Sequence, residues 1–266
     1  MKSFDFEYDG MRLSDKGFII CKFKSNGVET ISNGSYITFN TVSTMRGAKH
    51  ELISSEYSEC LKTSFQICKH PCIIDEEDRE ITISELCEIM QWLNRKEFHK
   101  FKLLDAEYTN IFFEASFNIS KIESDGKIYG LELEMFTNRP YALQEPVLVS
   151  LKTTKTNEQR QIFSKSYEEG YIYPDMDITI NADGDFEFYN VLEERTMRIA
   201  NCKSGEVIKV RYPIITSSLA THKIQNDFNW KFFRIVNAFK TKMNNVEISI
   251  PCTIEMKYSP IVKVGI

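Results

Sequence analysis

One stretch decides the fold of this chain: residues 108–146, which read YTNIFFEASFNISKIESDGKIYGLELEMFTNRPYALQEP. Apolar and polar side chains alternate in both halves of it, and period-two alternation is typical of strands with one buried face. The apolar members are Phe113, Ala115, Phe117, Ile119, Tyr129, Leu131, Leu133 and Met135. Asp125-Gly126 lies between the two runs and suits a two-residue turn, because both central residues must adopt positive φ. The stretch therefore predicts an antiparallel hairpin.

The end of this stretch predicts a boundary between two domains. Pro140 and Pro146 remove donors from a strand ladder and push the residues before them toward extended conformations. We expect a stiff connector at about residues 137–146, a first domain over residues 1–138 that the hairpin closes, and a second domain over residues 139–266.

Composition narrows the class of protein. The chain has 266 residues, of which 42% are hydrophobic and 27% charged, and its net charge is −5 at pH 7. Such values are typical of a globular protein, and the acidic balance is unlike a nucleic-acid-binding footprint. No apolar run reaches the roughly 18 residues of a membrane-spanning helix. Asp5 and Glu7 stand where a signal peptide has its apolar core, so we expect the protein to be made in a cytoplasm.

The seven cysteines are expected to be reduced thiols in a chain of this size without a signal peptide. Only Cys68 and Cys72 are close enough in sequence to raise the question of a metal site. A structural zinc site needs three or four converging ligands, and no second cluster is visible. Pro71 stands between the two cysteines, so a strand end followed by a turn is the preferred interpretation, and we predict neither a metal nor a cofactor.

The segment from Ser35 to Ser58 is polar and rich in hydroxyl groups, with its few large apolar residues widely spaced. Such a pattern buries little by itself, and it predicts a long extended arm or loop. The segment is either a mobile surface loop or an arm that folds against a neighbouring subunit, and the sequence favours neither. If it is an arm, the candidate subunit contacts, together with one tryptophan from the following helix, are Tyr36, Phe39, Met45, Arg46, Lys49, Tyr57 and Trp92. The exposed side of the helix from Thr82 to Arg95 is a further candidate contact.

A helix is predicted at about residues 83–95. Thr82 and Glu85 have the spacing of a capping box, in which each side chain bonds the other residue's backbone amide. The apolar residues that recur at three- and four-residue steps are Ile83, Leu86, Ile89, Met90 and Leu93, and they predict a single buried stripe. Trp92 falls off this stripe and either covers a domain edge, which is preferred, or faces a partner.

The second domain is β throughout. Short alternating runs separated by turn residues, without a helical period, indicate an antiparallel sandwich of jelly-roll type. The residues expected on these strands include Met176, Ile178, Ile180, Phe186, Phe188, Met197, Ile199, Ile208, Val210, Tyr212, Trp230, Phe232, Val246, Ile248, Ile250, Cys252, Ile254, Met256 and Tyr258. Asp183-Gly184 lies in a run that resembles a calcium loop but lacks the distal glutamate of an EF-hand, so a hairpin turn is preferred.

The sequence contains no pattern of a known active site. It lacks a phosphate-binding glycine loop, a nucleophile elbow and a zinc-protease helix, and its histidines, His50, His70, His99 and His222, are far apart. Trp230 raises the possibility of sugar stacking, but the cluster of His, Asn and Arg that a galectin-type site requires is missing. Phe232 and Phe233 beside it indicate core instead. We predict no catalytic residue.

Several phrases, taken in order, carry a resemblance that covers nearly the whole chain. They are FEYDGM at 6–11, GFII at 17–20, FHKF at 98–101, NRPYA at 138–142, ITIN at 178–181, GEVI at 205–208 and IEMKYSP at 254–260. With this spacing the chain resembles the distal tail proteins of long-tailed bacteriophages, the hub that joins the tail tube to the host-binding tip. The polar segment from Ser35 to Ser58 departs from the family pattern.

The resemblance implies a mainly β fold with a ring-forming N-terminal β domain that carries one helix, and a C-terminal galectin-like sandwich. It implies a hexameric ring, in a phage tail or a phage-derived tail-like particle, whose partners are the tail tube protein and the tip, fibre or baseplate proteins. DNA would pass through the channel without specific binding. The protein would be assembled in the host bacterial cytoplasm and would reside at the tail tip of the virion. The family has no catalytic residues and no cofactor.

Two other functions compete with a structural hub. A carbohydrate-binding sandwich that recognises a bacterial surface would need an exposed aromatic cleft. A hydrolase would need titratable residues that converge in a pocket.

Overall fold

The computed structural model describes residues 4–23, 36–43, 50–71, 78–238 and 240–263. Contacts divide the chain into two units, of which the first contains the residues up to Leu143 together with Lys263, and the second runs from Gln144 to Val262. The division lies inside the predicted connector at 137–146.

The described part of the first unit is built mainly from antiparallel strands. These are β1 Phe6–Tyr8, β2 Met11–Arg12, β3 Phe18–Cys21, β4 Ile37–Ser43, β5 His50–Tyr57, β6 Lys62–Lys69, β7 His99–Leu103, β8 Ile111–Ser124 and β9 Lys127–Thr137, with helix α1 at Ile83–Leu93 and short 3-10 turns at Ser14–Lys16 and Ala106–Tyr108. The main sheet has the strand order β2-β1-β7-β8-β9-β6-β3, and β4 and β5 form a separate two-stranded sheet.

The predicted hairpin is confirmed as β8 and β9. Asp125 and Gly126 have φ values of 52° and 77°, as a turn with two left-handed residues requires. A register shift between Ile122 and Glu123 corrects the predicted alternation near the turn: Ile128 is buried and Tyr129 only partly so. The reason is that a bulge inserts one unpaired residue and changes which side chains face the core.

The predicted capping box opens α1. Thr82 N–H donates to Glu85 Oε2 at 2.8 Å, and Glu85 N–H donates to Thr82 Oγ1 at 3.3 Å. The helix ends at Leu93, earlier than predicted, and the side-chain amide of Asn94 donates to the Phe117 carbonyl on β8 at 2.7 Å.

The predicted apolar stripe of α1 is only partly buried. Leu86, Ile89 and Leu93 are buried together with Trp92, whereas Ile83 and Met90 are exposed. At about 100° per residue, Trp92 lies on one side of the Leu86–Leu93 row, and Ile83 and Met90 lie on the other. The sheet covers the tryptophan side, so the prediction for Ile83 and Met90 was wrong.

Aromatic rings fill the core of the first unit. Phe117 lies between Tyr8 and Phe101, with ring centroids 5.3 and 5.4 Å away. Phe6 stacks on Trp92 at 5.7 Å. These rings come from β1, β7, β8 and α1, so the core joins segments that are far apart in sequence.

The second unit is also mainly β, as predicted. Its elements, after β10 Ala142–Gln144 at the division, are β11 Val147–Lys152, β12 Glu158–Phe163, β13 Gly170–Ile172, β14 Asp175–Ile180, β15 Gly184–Asn190, β16 Arg195–Cys202, β17 Val207–Arg211, β18 Ile214–Ser217, the one-turn helix α2 Ile224–Asp227, β19 Ile235–Asn237, β20 Met243–Ile248, β21 Cys252–Tyr258 and β22 Ile261–Val262. Two antiparallel sheets, ordered β11-β21-β14-β17-β18 and β12-β20-β15-β16, contribute to one buried core.

Two predictions for the second unit need correction. Asp183-Gly184 joins β14 to β15, which belong to different sheets, so the turn crosses the sandwich and does not form a hairpin. Tyr212, Phe232 and Ile250 lie outside the strands expected for them, and so does Trp230. Its φ is 57°, and the neighbouring Asn229 side chain bonds the backbone of Arg198, Lys231 and Thr196. These bonds hold the loop out of a ladder.

Candidate assembly surface

Strands β4 and β5, here called the arm, form an isolated hairpin within the described part of the chain. Every residue of the two strands is exposed except Tyr57, which is half-buried. The Tyr57 ring meets that of Tyr141 edge-on, with centroids 6.5 Å apart. The described part of the predicted extended segment is therefore a paired arm, anchored near its base and exposed to solvent elsewhere.

The arm has one apolar face and one largely polar face. Ile37 is opposite Tyr57, and Thr41 is opposite Leu52. Because residues two apart on a strand share a face, Phe39 lies on the same side as Ile37. On the other face, Asn40 Nδ2 donates to Ser54 Oγ at 3.0 Å, and Val42 is its one large apolar residue on β4, 48% exposed. Phe39 is 61% exposed, so the apolar face is unburied in the single chain.

The predicted subunit contacts differ in their exposure to solvent, and some of them lie outside the described residues. Phe39 is exposed on the arm, Tyr36 is exposed just before β4, and Tyr57 lies at the base of the arm. Met45, Arg46 and Lys49 lie outside the described residues.

The prediction that Trp92 is a subunit contact was wrong. Its side chain is only 4% exposed, its ring stacks on Phe6, and its Nε1 donates to the Tyr8 carbonyl at 3.1 Å. The indole is therefore part of the core and cannot meet a neighbouring subunit without unfolding the unit.

A second apolar surface lies on α1. Ile83, Cys87 and Met90, here called the helix stripe, are exposed, and Ile83 is exposed by 64%. At about 100° per residue they occupy a sector of about 60°. Sequence reasoning assigned Ile83 and Met90 to the core. The sequence did carry a signal for this surface, because the apolar residues of the helix cover a wider sector than a single packed sheet can bury.

The second unit contains a titratable cluster that sequence reasoning missed. The buried Glu206 carboxylate accepts a hydrogen bond from Ser217 Oγ at 2.5 Å and lies 2.5 Å from His222 Nδ1. Asp227 Oδ2 lies 3.3 Å from His222 Nε2. Burial disfavours the charged form of Glu206, but hydrogen bonds from Ser217, the Lys203 amide and His222 outweigh it and hold its pKa below the usual value. Ser217 donates its hydroxyl proton to the Glu206 carboxylate and not to the His222 imidazole. This geometry is that of a structural cross-link between β18, α2 and the turn before β17.

Metal chemistry has no candidate among the described residues: no group of three or more His, Cys, Asp or Glu side chains is placed to hold an ion. Strand β6 ends at Lys69, just after Cys68, and Cys72 lies outside the described residues. The six described cysteines are free thiols.

Two family models match almost the whole chain. One, the phage tail protein N-terminal domain, matches residues 1–139, and the other, the phage tail C-terminal domain, matches residues 141–258. The chain belongs to this phage tail protein family. The tail protein is therefore a structural component of a virion that associates with other tail components.

The fold of the tail protein is similar to that of the SPP1 Dit protein (gp 19.1), whose crystal structure is described as a paradigm of the hub adsorption apparatus in phages that infect Gram-positive bacteria. The TM-score is 0.67 with 9% sequence identity, over 97% of this chain and 99% of that one. At this identity the likeness concerns the fold. No curated protein matches the tail protein.

Family membership favours a tail role for the tail protein over carbohydrate binding. Phe232 and Phe233 are buried, as expected of core residues, but Trp230 is 55% exposed, so the expectation that it belongs to the core was wrong. Among the described helices, none has both the length and the apolar character to cross a membrane.

Proposed function

We propose that the tail protein is the structural hub of a phage tail or of a phage-derived tail-like particle, a ring that joins the tail tube to the host-binding tip or baseplate. The observation that carries this proposal is the similarity of fold to a hub protein along 97% of the chain. A fold shared over both units supports a shared architectural role, whereas a similarity confined to the sandwich would support a binding module as well.

In this proposal the first unit forms a homo-hexameric ring and the second is a galectin-like sandwich of jelly-roll type. The partners are further copies of the chain, the tail tube protein and the tip, fibre or baseplate proteins. DNA passes through the channel without specific binding, which the net charge of −5 supports because like charges repel. The ring is assembled in the host cytoplasm and catalyses no reaction.

The arm provides the subunit contact. A heterologous contact that closes into a ring satisfies each exposed surface without open-ended growth. Phe39 and Tyr36 are large aromatic side chains in water, a state that soluble proteins normally reserve for interaction sites when such residues are contiguous. We propose that Tyr36, Phe39 and Tyr57 meet the neighbouring copy, together with Met45, Arg46 and Lys49, which lie outside the described residues.

The test is the mass of the protein in solution, measured by light scattering and native mass spectrometry over a range of concentrations. We expect one closed species, at six times the chain mass of 31.0 kDa, in equilibrium with the monomer. Phe39→Asp should shift this equilibrium toward the monomer because it places a charge in the apolar contact. Asn40→Asp is the matched control, since it adds the same charge to the opposite face of the same strand.

A protein that stays monomeric at every concentration, alone and with its tube protein, would contradict the hub. So would an assembly that Phe39→Asp and Asn40→Asp weaken equally, because the apolar face would then have no special role.

A further inference from the structure

We infer that the helix stripe on one copy of the tail protein receives the apolar face of the arm of the next copy. This inference rests on the proposed ring and identifies the surface on which the arm docks. The sequence pattern marks Ile83 and Met90 as core residues, yet both lie in solvent. An apolar stripe that the described part of its own unit leaves exposed is accounted for if a neighbour covers it.

The occupant of the stripe is a second copy, because the chain itself carries another exposed apolar surface, the apolar face of the arm. Ile37, Phe39 and Leu52, on the apolar face of the arm, are exposed in the same structure in which Ile83 and Met90 are exposed. Two apolar surfaces that coexist uncovered in one chain are satisfied together when copies associate head to tail.

The two surfaces have similar spacing. Alternate residues of a strand are about 6.8 Å apart, so Ile37, Phe39 and the Thr41–Leu52 pair span about 14 Å. On the helix, a rise of about 1.5 Å per residue separates Ile83 from Cys87 by about 6 Å and from Met90 by about 10 Å. The spacing therefore allows side chains of the arm to alternate with those of the stripe.

The carboxylates of the arm lie outside the proposed contact. Glu56 is opposite Thr38 and Glu51 is opposite Val42, so both belong to the largely polar face. The apolar face can therefore dock on the stripe without burying either charge, which would be costly.

Cys87 supplies the experiment, since it is a free, exposed thiol in the middle of the stripe. Thr41→Cys places a thiol on the apolar face of the arm beside Leu52 without removing Ile37 or Phe39. Under mild oxidation we expect this variant to form a disulfide with Cys87 of another copy. The matched control is Asn40→Cys, the adjacent residue on the opposite face. We expect about tenfold less product from it, because a disulfide requires Cβ atoms about 3.5–4.5 Å apart.

Mixed samples of isotopically heavy and light protein identify the link as intermolecular, by heavy–light peptide pairs in the mass spectrum. Thr41→Cys combined with Cys87→Ser should lose the product. A product that survives Cys87→Ser would overturn the inference, because the arms would then meet each other or another surface. Equal yields from Thr41→Cys and Asn40→Cys, or a link formed within one copy, would also overturn it.

Failure of this docking mode and failure of the ring are distinguishable. A closed oligomer that does not form the disulfide between residue 41 and Cys87 would contradict the proposed docking surface but would still support the hub. A protein that forms no oligomer, either alone or with its tube protein, would contradict both the docking surface and the hub. Circular dichroism on each variant confirms that the fold is unchanged, as expected for substitutions at exposed positions.

Discussion

Two hairpins in the first unit share the same alternation of apolar and polar residues, but one is buried and the other is exposed. Strands β8 and β9 present Phe117, Leu133 and Met135 to the core, where each is almost completely buried. Strands β4 and β5 present Ile37, Phe39 and Leu52 in the same alternating way, and all three are exposed. Both hairpins are antiparallel and each contains one register shift.

The difference between the two hairpins lies in what covers them. The β8–β9 hairpin has sheet neighbours on both sides, and α1 is tied to it through Asn94. Among the described residues, the strands of the arm pair with each other only. Since two strands alone bury too little to be stable in water, alternation determines which face is apolar, and the tertiary partner determines whether that face is buried.

The largest expected effect is on the buried hairpin. Phe117→Ala should lower the free energy of unfolding of the first unit by about 3–5 kcal/mol, because it opens a cavity among closely packed rings. Phe117 is 1% exposed and contacts Phe6, Tyr8, Phe65 and Phe101. Chemical denaturation followed by near-ultraviolet circular dichroism measures the loss.

Phe39→Ala is the matched control on the arm. It removes the same ring from an exposed position, so the free energy of unfolding of the monomer should change by less than about 0.5 kcal/mol. Similar losses for the two variants would mean that the arm is buried within its own chain, and the comparison of the two hairpins would be wrong.

The buried hairpin and the capped helix could be predicted from sequence because their signals are local. Asp125-Gly126 fixes the turn through its backbone preference, and Thr82 with Glu85 fixes the helix start through a three-residue spacing. The face of α1 that is buried could not be predicted, because Trp92 is covered by Tyr8 and Phe6 from a strand far away in sequence. The same reason applies to Glu206 and His222, which meet only in the folded sandwich.

The turn of the buried hairpin provides the second prediction. Gly126 has a φ of 77°, and a Cβ added there would meet no atom within 4 Å. The cost of Gly126→Ala is therefore a backbone cost, and we expect a loss of about 1–2 kcal/mol in the free energy of unfolding. Gly126→Asn is the control, since asparagine tolerates the left-handed region and should cost less. Equal losses would show that the turn relaxes to another conformation.

The third prediction concerns the start of α1, the helix that is tied to the buried hairpin through Asn94. Thr82→Ala should cost about 1 kcal/mol, because it leaves a helix amide without its cap. Burial raises the pKa of Glu85, but the hydrogen bonds with Lys69 and Thr82 outweigh it and leave that pKa below its ordinary value. The stabilisation from Glu85 is therefore complete above its unfolded pKa of about 4.3 and is lost as the pH falls through the lower, folded pKa.

Denaturation curves recorded from pH 7 to pH 3 test this sign. Glu85→Gln is the control, since glutamine can still complete the capping box but has no charge to lose, so its stability should fall less steeply in acid. A steeper fall than in the unmodified protein would mean that Glu85 is not held in its charged form.

The smallest free energy is expected for opening of the arm itself, and hydrogen exchange measures it. Amides in β8 and β9 should exchange with protection that approaches the global unfolding free energy, because they are buried in the main sheet. Amides of the arm should be protected by less than about 100-fold in the monomer, since a lone two-stranded hairpin is marginally stable. Protection of the arm that rises with protein concentration, while that of β8 and β9 stays constant, would mean that the missing cover is another copy. Strong protection of the arm in dilute monomer would instead mean that pairing alone stabilises it, and the contrast between the two hairpins would no longer depend on a partner.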